Sequence, residues 1–235
     1  MRVTLTFDNG PDIKGTPAVL AALAERNIRA VFFFVGQKAH THAHLVAQTS
    51  AAGHIIGNHT WSHSTPLGEV SQPGFARDEI EKTQRAIAPW ASTPPLFRPV
   101  GAAPGAVIDH RLLNLEALQT LNEGGYTVVL WNVVPRDWER PQDWLDGSIQ
   151  ACREVDHAVV VLHDGYPDGM DLLPAFLDAL RDEGAEFSTE FPESCTPILS
   201  GVATLTATPI TTAAGSQRAT IPRVTPRLSS LKEPL

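Results

Sequence analysis

Cysteine is nearly missing from this 235-residue chain: Cys152 and Cys195 are the only two, too few for a disulfide framework and not spaced like a pair of zinc ligands. They leave the redox compartment open. Basic residues are also in deficit, with 18 Lys and Arg against 26 Asp and Glu. A formal charge of -8 gives no electrostatic reason to bind nucleic acid or anionic lipid, so neither is expected as a partner. No apolar run approaches the ~20 residues that a membrane-spanning helix needs. No basic segment followed by an apolar one precedes the first strand-like residues, so the chain as written reads as cytoplasmic, or as secreted if its N-terminus has been trimmed. Long-period repeats are absent as well.

What remains is the profile of one sizeable globular domain, 43% hydrophobic and 19% charged. Short β-rich runs alternate with helical patterns, the order of parallel strands joined by crossover helices. Strands are expected at Val3 to Asp8, Ala30 to Val35, His54 to Gly57, Leu96 to Val100, Thr127 to Val133, Ala158 to His163 and Glu186 to Phe191. The run Ala30-Val31-Phe32-Phe33-Phe34-Val35 is apolar throughout, as a strand covered on both faces should be. Thr16 as N-cap with Pro17 behind it predicts a helix ending near Asn27. Further helices are expected around Leu45 and Val46, over Asp78 to Ala88, Arg111 to Leu121, Trp144 to Arg153, and Leu172 to Arg181. Periodicity alone admits either a doubly wound sheet or an incomplete (β/α) barrel. The domain is expected to span 1–191. From about Pro192 the composition turns to Thr, Ser, Ala and Pro, so 192–235 reads as an extended or disordered extension.

Unusual polar residues recur where expected strands end, the face on which parallel α/β proteins assemble their sites. Asp8 and Asn9 enter a Gly10-Pro11 turn, which by itself is ordinary turn chemistry. His59 and His63 lie four apart, a spacing that lets two imidazoles face one metal across a helical turn. His40, His42 and His44 alternate without a nearby carboxylate and read as surface residues. Arg98 ends a strand before Pro99-Val100-Gly101, where backbone can approach a ligand. Asp137 sits before Trp138 and after Trp131, and packing explains the rings more readily than the carboxylate. His163 is the first polar side chain after an apolar strand, suited to proton transfer.

In order and spacing, Thr-Phe-Asp-x-Gly-Pro, His-x-x-x-His, Arg-Pro, Asp-Trp and Leu-His-Asp resemble the polysaccharide deacetylase family, the NodB homology domain or carbohydrate esterase 4. The resemblance implies an α/β fold, a distorted (β/α)7-type barrel, with one divalent metal, usually Zn, with Co, Ni or Mn as substitutes. It implies Asp8 as general base, Arg98 orienting it, and Asn9, His59 and His63 at the metal. It implies His163 as general acid held by Asp137, with Val100, Gly101, Trp138 and Val161 lining the substrate. The activity implied is hydrolysis of an amide carbon–nitrogen bond in an N-acylated carbohydrate.

Two departures from the pattern matter. Asn9 stands where the family has a metal-binding aspartate, and an amide oxygen can coordinate without a formal charge. The Arg98 segment lacks the aromatic wall common in the family, and Val134 stands where an acid is frequent. A small linear or cyclic amide as substrate, or a catalytically silent carbohydrate-binding role, are therefore the alternatives.

Overall fold

The protein, analysed as a computed structural model, is described over residues 1–101 and 110–204. In chain order it runs β1 (Arg2–Asp8), α1 (Gly15–Glu25), β2 (Val31–Phe34), α2 (Gly36–Thr41), α3 (Ala43–Ala51), β3 (Ile55–Asn58) and α4 (Phe75–Ile87). There follow β4 (Leu96–Phe97), α5 (Leu115–Glu123), β5 (Thr127–Val128), α6 (Leu145–Arg153), β6 (His157–Leu162), α7 (Leu173–Asp182), β7 (Glu186–Ser188), β8 (Ile198–Leu199) and β9 (Val202–Ala203).

β1 is the hub of the sheet. Arg2 to Phe7 pair in parallel with β6, while the other edge of the strand is shared, Arg2 to Thr4 with β7 and Thr6 to Asp8 with β2. The sheet continues through β3, β4 and β5, all parallel. Val133 then bridges back to Val160 of β6, so the sheet curls round into the distorted (β/α)7-type barrel. Side chains alternate along β1: Val3, Leu5 and Phe7 join the apolar layer under the helices, while Thr4, Thr6 and Asp8 are the buried polar residues between them. A second cluster, including Phe97, Val128, Leu130, Val159 and Val161, packs on another face.

Several boundaries differ from expectation. The first helix begins at Gly15 because Asp12 Oδ1 accepts the Lys14 and Gly15 N–H groups at 2.8 Å each. That carboxylate does the capping work expected of Thr16. The helix expected from Arg111 begins at Leu115, where Asn114 caps it by accepting the Ala117 N–H at 2.9 Å. The strand expected over Thr127 to Val133 shrinks to two ladder residues, because the segment changes partner. Val129 N–H bonds Phe97, Leu130 N–H bonds Cys195, and Asn132 and Val133 bond Val159.

Residues 192–204, read from the sequence as part of an extended or disordered extension, pack onto the sheet. β8 pairs antiparallel with β5, and β9 folds back on β8. Cys195 and Ile198 are buried in the second cluster. Short β-branched and apolar residues here cover the edge of β5, a tertiary contact that leaves no local period to read. The remainder of the extension, from 205, lies outside the described residues.

Candidate active site

Asp8, Asn9, His59, Arg98 and His163 all leave the C-terminal ends of parallel strands, β1, β3, β4 and β6. Their convergence is therefore a consequence of the fold. Arg98 is fully buried and donates from Nη1 to Asp8 Oδ1 at 2.9 Å and to Thr6 Oγ1 at 2.6 Å. Nε and Nη2 donate to the main-chain oxygens of Val129 and Leu130, and the guanidinium lies 4.2 Å over the Phe33 ring. Such a clamp fixes one carboxylate oxygen and leaves Asp8 Oδ2 for other work. Oδ2 lies 3.7 Å from His59 Nε2.

His59 is oriented by its own neighbour. Its Nδ1 is 2.9 Å from the Arg98 main-chain oxygen, which can only accept, so Nδ1 carries the proton and Nε2 presents a lone pair. Burial pushes its pKa down to about 4, against the attraction of Asp8. His63 is likewise lowered by burial. The two rings lie 4.9 Å apart between centroids. The helical turn expected to carry the pair is absent: His59 to His63 is a loop with positive φ at Thr60 (64°) and His63 (52°), which brings the rings together by a tight backbone turn.

Asn9, with φ 69°, is buried, and its Oδ1 has no hydrogen-bond partner. An orphaned, buried amide oxygen on a cavity shared with His63, whose ring adjoins that of His59, supplies with the two imidazoles a donor set that fits a divalent cation. Among the described residues no group of three or more His, Cys, Asp and Glu side chains is placed to hold a metal, because the third donor here is an amide.

On the opposite side, Asp137 is fully buried and takes two hydrogen bonds from one residue, His163 N–H at 2.8 Å and His163 Nδ1 at 2.9 Å. The ring tautomer is thereby set, with Nε2 facing outward from the carboxylate. Trp138 meets His163 edge-on at 4.5 Å, 37% exposed, and Tyr166 lies 6.1 Å away. Val100 and Val161 are buried, and Gly101 has φ 125°. His40 pairs with the Trp61 ring, and His42 with His44.

Two residues escaped the sequence reading. Asp164 is fully buried beneath the Asn9-Gly10 turn, with Oδ2 accepting from Thr16 Oγ1 at 2.5 Å and Oδ1 unpaired. A Cβ on Gly10 would come within 2.2 Å of this carboxylate, so only glycine fits there. Burial pushes Asp164 up to about 7. Lys38, on α2, donates from Nζ to the Asn9 main-chain oxygen at 2.8 Å. Asp164 had a signal in the His-Asp-Gly turn; Lys38 had none. Asn9, Val35, Gln37, Lys38, Ser62, His63 and Tyr166 line a cavity of ≈ 170 Å³. A larger cleft of ≈ 500 Å³, between residues 68–73 and 110–116, contains none of the polar pairs above.

Residues 1–129 match the family model for polysaccharide deacetylases. A peptidoglycan-N-acetylglucosamine deacetylase of Bacillus cereus is 32% identical over 80% of this chain and 85% of its own. A chitooligosaccharide deacetylase of a Bradyrhizobium species is 36% identical over 71% and 72%. A family 4 carbohydrate esterase from Streptomyces lividans, solved in complex with acetate, superposes with a TM-score of 0.68 at 28% identity, covering 84% of this chain and 97% of that one. With barrel, site geometry and sequence in agreement, the chain belongs to the polysaccharide deacetylase family, hydrolases of carbon–nitrogen bonds other than peptide bonds.

Proposed function

We propose that this protein removes the acetyl group from an N-acetylated sugar or oligosaccharide, with one divalent metal ion as cofactor. The observation that carries the reading is the pair of oriented proton carriers at one barrel mouth: Asp8 clamped by Arg98, and His163 clamped by Asp137. Relatives named as deacetylases of peptidoglycan N-acetylglucosamine and of chitooligosaccharides support the substrate class.

Asn9 Oδ1, His59 and His63 are the residues that would hold the ion. When bound, it would polarise the acyl carbonyl and acidify water, for which Zn, Co, Ni or Mn would serve. Asp8 Oδ2, the oxygen Arg98 leaves unengaged, takes the proton of the attacking water. His163 Nε2 gives a proton to the departing amine nitrogen, while Asp137 bears the matching charge. Carboxylate and amine leave as products. Trp138, exposed and edge-on to His163, offers a ring face for a sugar, and Val100, Gly101 and Val161 complete the substrate lining in this reading.

The test is acetate release from N-acetylglucosamine oligomers before and after chelation, with each ion restored separately and His163→Ala alongside. Metal-restored release that vanishes in the variant is the expected result. Oligomer binding without release under any ion would instead favour a silent carbohydrate-binding role, the reading that the neutral Asn9 keeps open.

A further inference from the structure

The start of α2 is tied to both loops that carry the ligand candidates. Gly36 N–H donates to the Thr60 oxygen at 2.8 Å and Gln37 N–H to the Trp61 oxygen at 2.9 Å, inside the His59–His63 loop. Val35 N–H donates to the Gly10 oxygen at 2.9 Å, and Lys38 Nζ to the Asn9 oxygen at 2.8 Å. Four donors from four consecutive residues thus hold the two loops at a fixed separation. Three are main-chain N–H groups that any residue except proline would supply. The fourth brings a full positive charge, and among the described residues no acidic side chain forms an ion pair with it.

That charge sits in the cavity shared by Asn9 and His63. A cation beside a dication site opposes the dication, and the opposition is strong where little water screens it. The carboxamide of Asn9 withholds one of the negative charges that would offset Lys38, leaving Asp164, buried beneath the same turn, as an acid that interacts with the lysine. Position 9 and position 38 therefore push the site in the same direction.

We propose that Lys38 is a built-in counter-charge that sets the metal affinity of this site, making the dication weakly held and exchangeable rather than permanently resident. The inference rests on the reading of Asn9, His59 and His63 as the ligands. A lysine kept only to brace the Asn9 turn would have the opposite signature, since removing a brace loosens a site.

The experiment is a Zn²⁺ titration of the full chain at neutral pH against a chromogenic competitor, with Co²⁺ absorption as a second readout. The set comprises the parent, Lys38→Met, Lys38→Gln, Lys38→Arg, Asn9→Asp and His63→Ala, each checked for folding by circular dichroism. Either neutral substitution at 38 is expected to tighten binding at least ten-fold, Lys38→Arg to stay within about three-fold of the parent, and Asn9→Asp to tighten it. Having two neutral variants keeps the test intact if one fails to fold. Unchanged or weaker binding in the neutral variants, with binding still lost in His63→Ala, overturns the role of Lys38 and leaves the ligand assignment standing. Binding that persists in His63→Ala, or is missing throughout the set, overturns both.

Discussion

Replacing Asp164 by Asn should flatten a pH dependence that the parent carries in its stability. The carboxyl group is fully buried, one oxygen is unpaired, and its pKa rises from 3.8 to about 7 because burial disfavours the charge. Between those two values the folded chain keeps a proton that the unfolded chain releases. Stability from this group is therefore complete below pH 3.8 and is lost as pH rises toward about 7. At ~1.4 kcal/mol per pH unit the loss amounts to ~4 kcal/mol, an upper figure because local water relieves part of the penalty. For a chain of this size that corresponds to roughly 10 °C in melting temperature. Asn is isosteric, can still accept from Thr16, and does not titrate. Other groups contribute equally to both proteins, so the informative quantity is the parent-minus-variant difference in urea unfolding, followed from pH 4 to 8.5. It should fall steadily and level off above about pH 7. A difference curve that stays flat across the whole range would refute the reasoning.

His54 should behave in the reverse sense. Its Nδ1 accepts the Ala30 N–H at 3.1 Å, and burial lowers it to about 4, so its stabilisation is present above 6.5 and lost as pH falls through about 4; a His54→Asn variant compared with the parent in acid titration should lack that loss. Arg98→Met strands the buried Asp8 carboxylate without its cation and should cost about 3–5 kcal/mol of stability, measured by denaturant unfolding; a loss under 1 kcal/mol would argue against the clamp. Asp137→Asn should lower kcat for the proposed deacetylation by about 10²–10⁴-fold with little change in KM, because it disturbs the proton donor and not sugar contact. Unaltered kcat would remove His163 from the proton-transfer role.

The sequence made most of the barrel legible because fully buried parallel strands leave short apolar runs rich in aromatic and β-branched residues, as Phe32 to Phe34 and Val159 to Leu162 illustrate. It was poorest where a strand is held by side chains or changes partners. Leu96–Phe97 and Thr127–Val128 are short ladders whose neighbours serve Arg98, and no local pattern encodes that. Asn114 and Asp12 are caps with clear chemistry that lost out to nearby alternatives. Among the site candidates, Asp8, Arg98, Asp137 and His163 meet in the pairs that the motif order implied. The imidazole pair also meets, by a loop and not a helix. Asp164 and Lys38 gain their meaning from what lies across the barrel mouth from them, and contacts between residues so far apart in the chain have no one-dimensional trace.

The hub position of β1 also has a temporal consequence. The strand that carries Asp8 comes before the other strands of this sheet in the chain, yet its partners include Ala158 to Leu162 and Glu186 to Ser188. At typical ribosomal speeds roughly ten to forty seconds separate the first strand from the last of these. During that interval α1 and β2 can already cover part of the apolar face of Val3, Leu5 and Phe7, but Phe176 and Leu177 of the same layer are still to come, and Thr6 lacks the Val160 oxygen to which it donates. Until β6 and β7 emerge, the nascent chain therefore carries β1 unpaired along one edge, a stage at which a holdase chaperone would find a target.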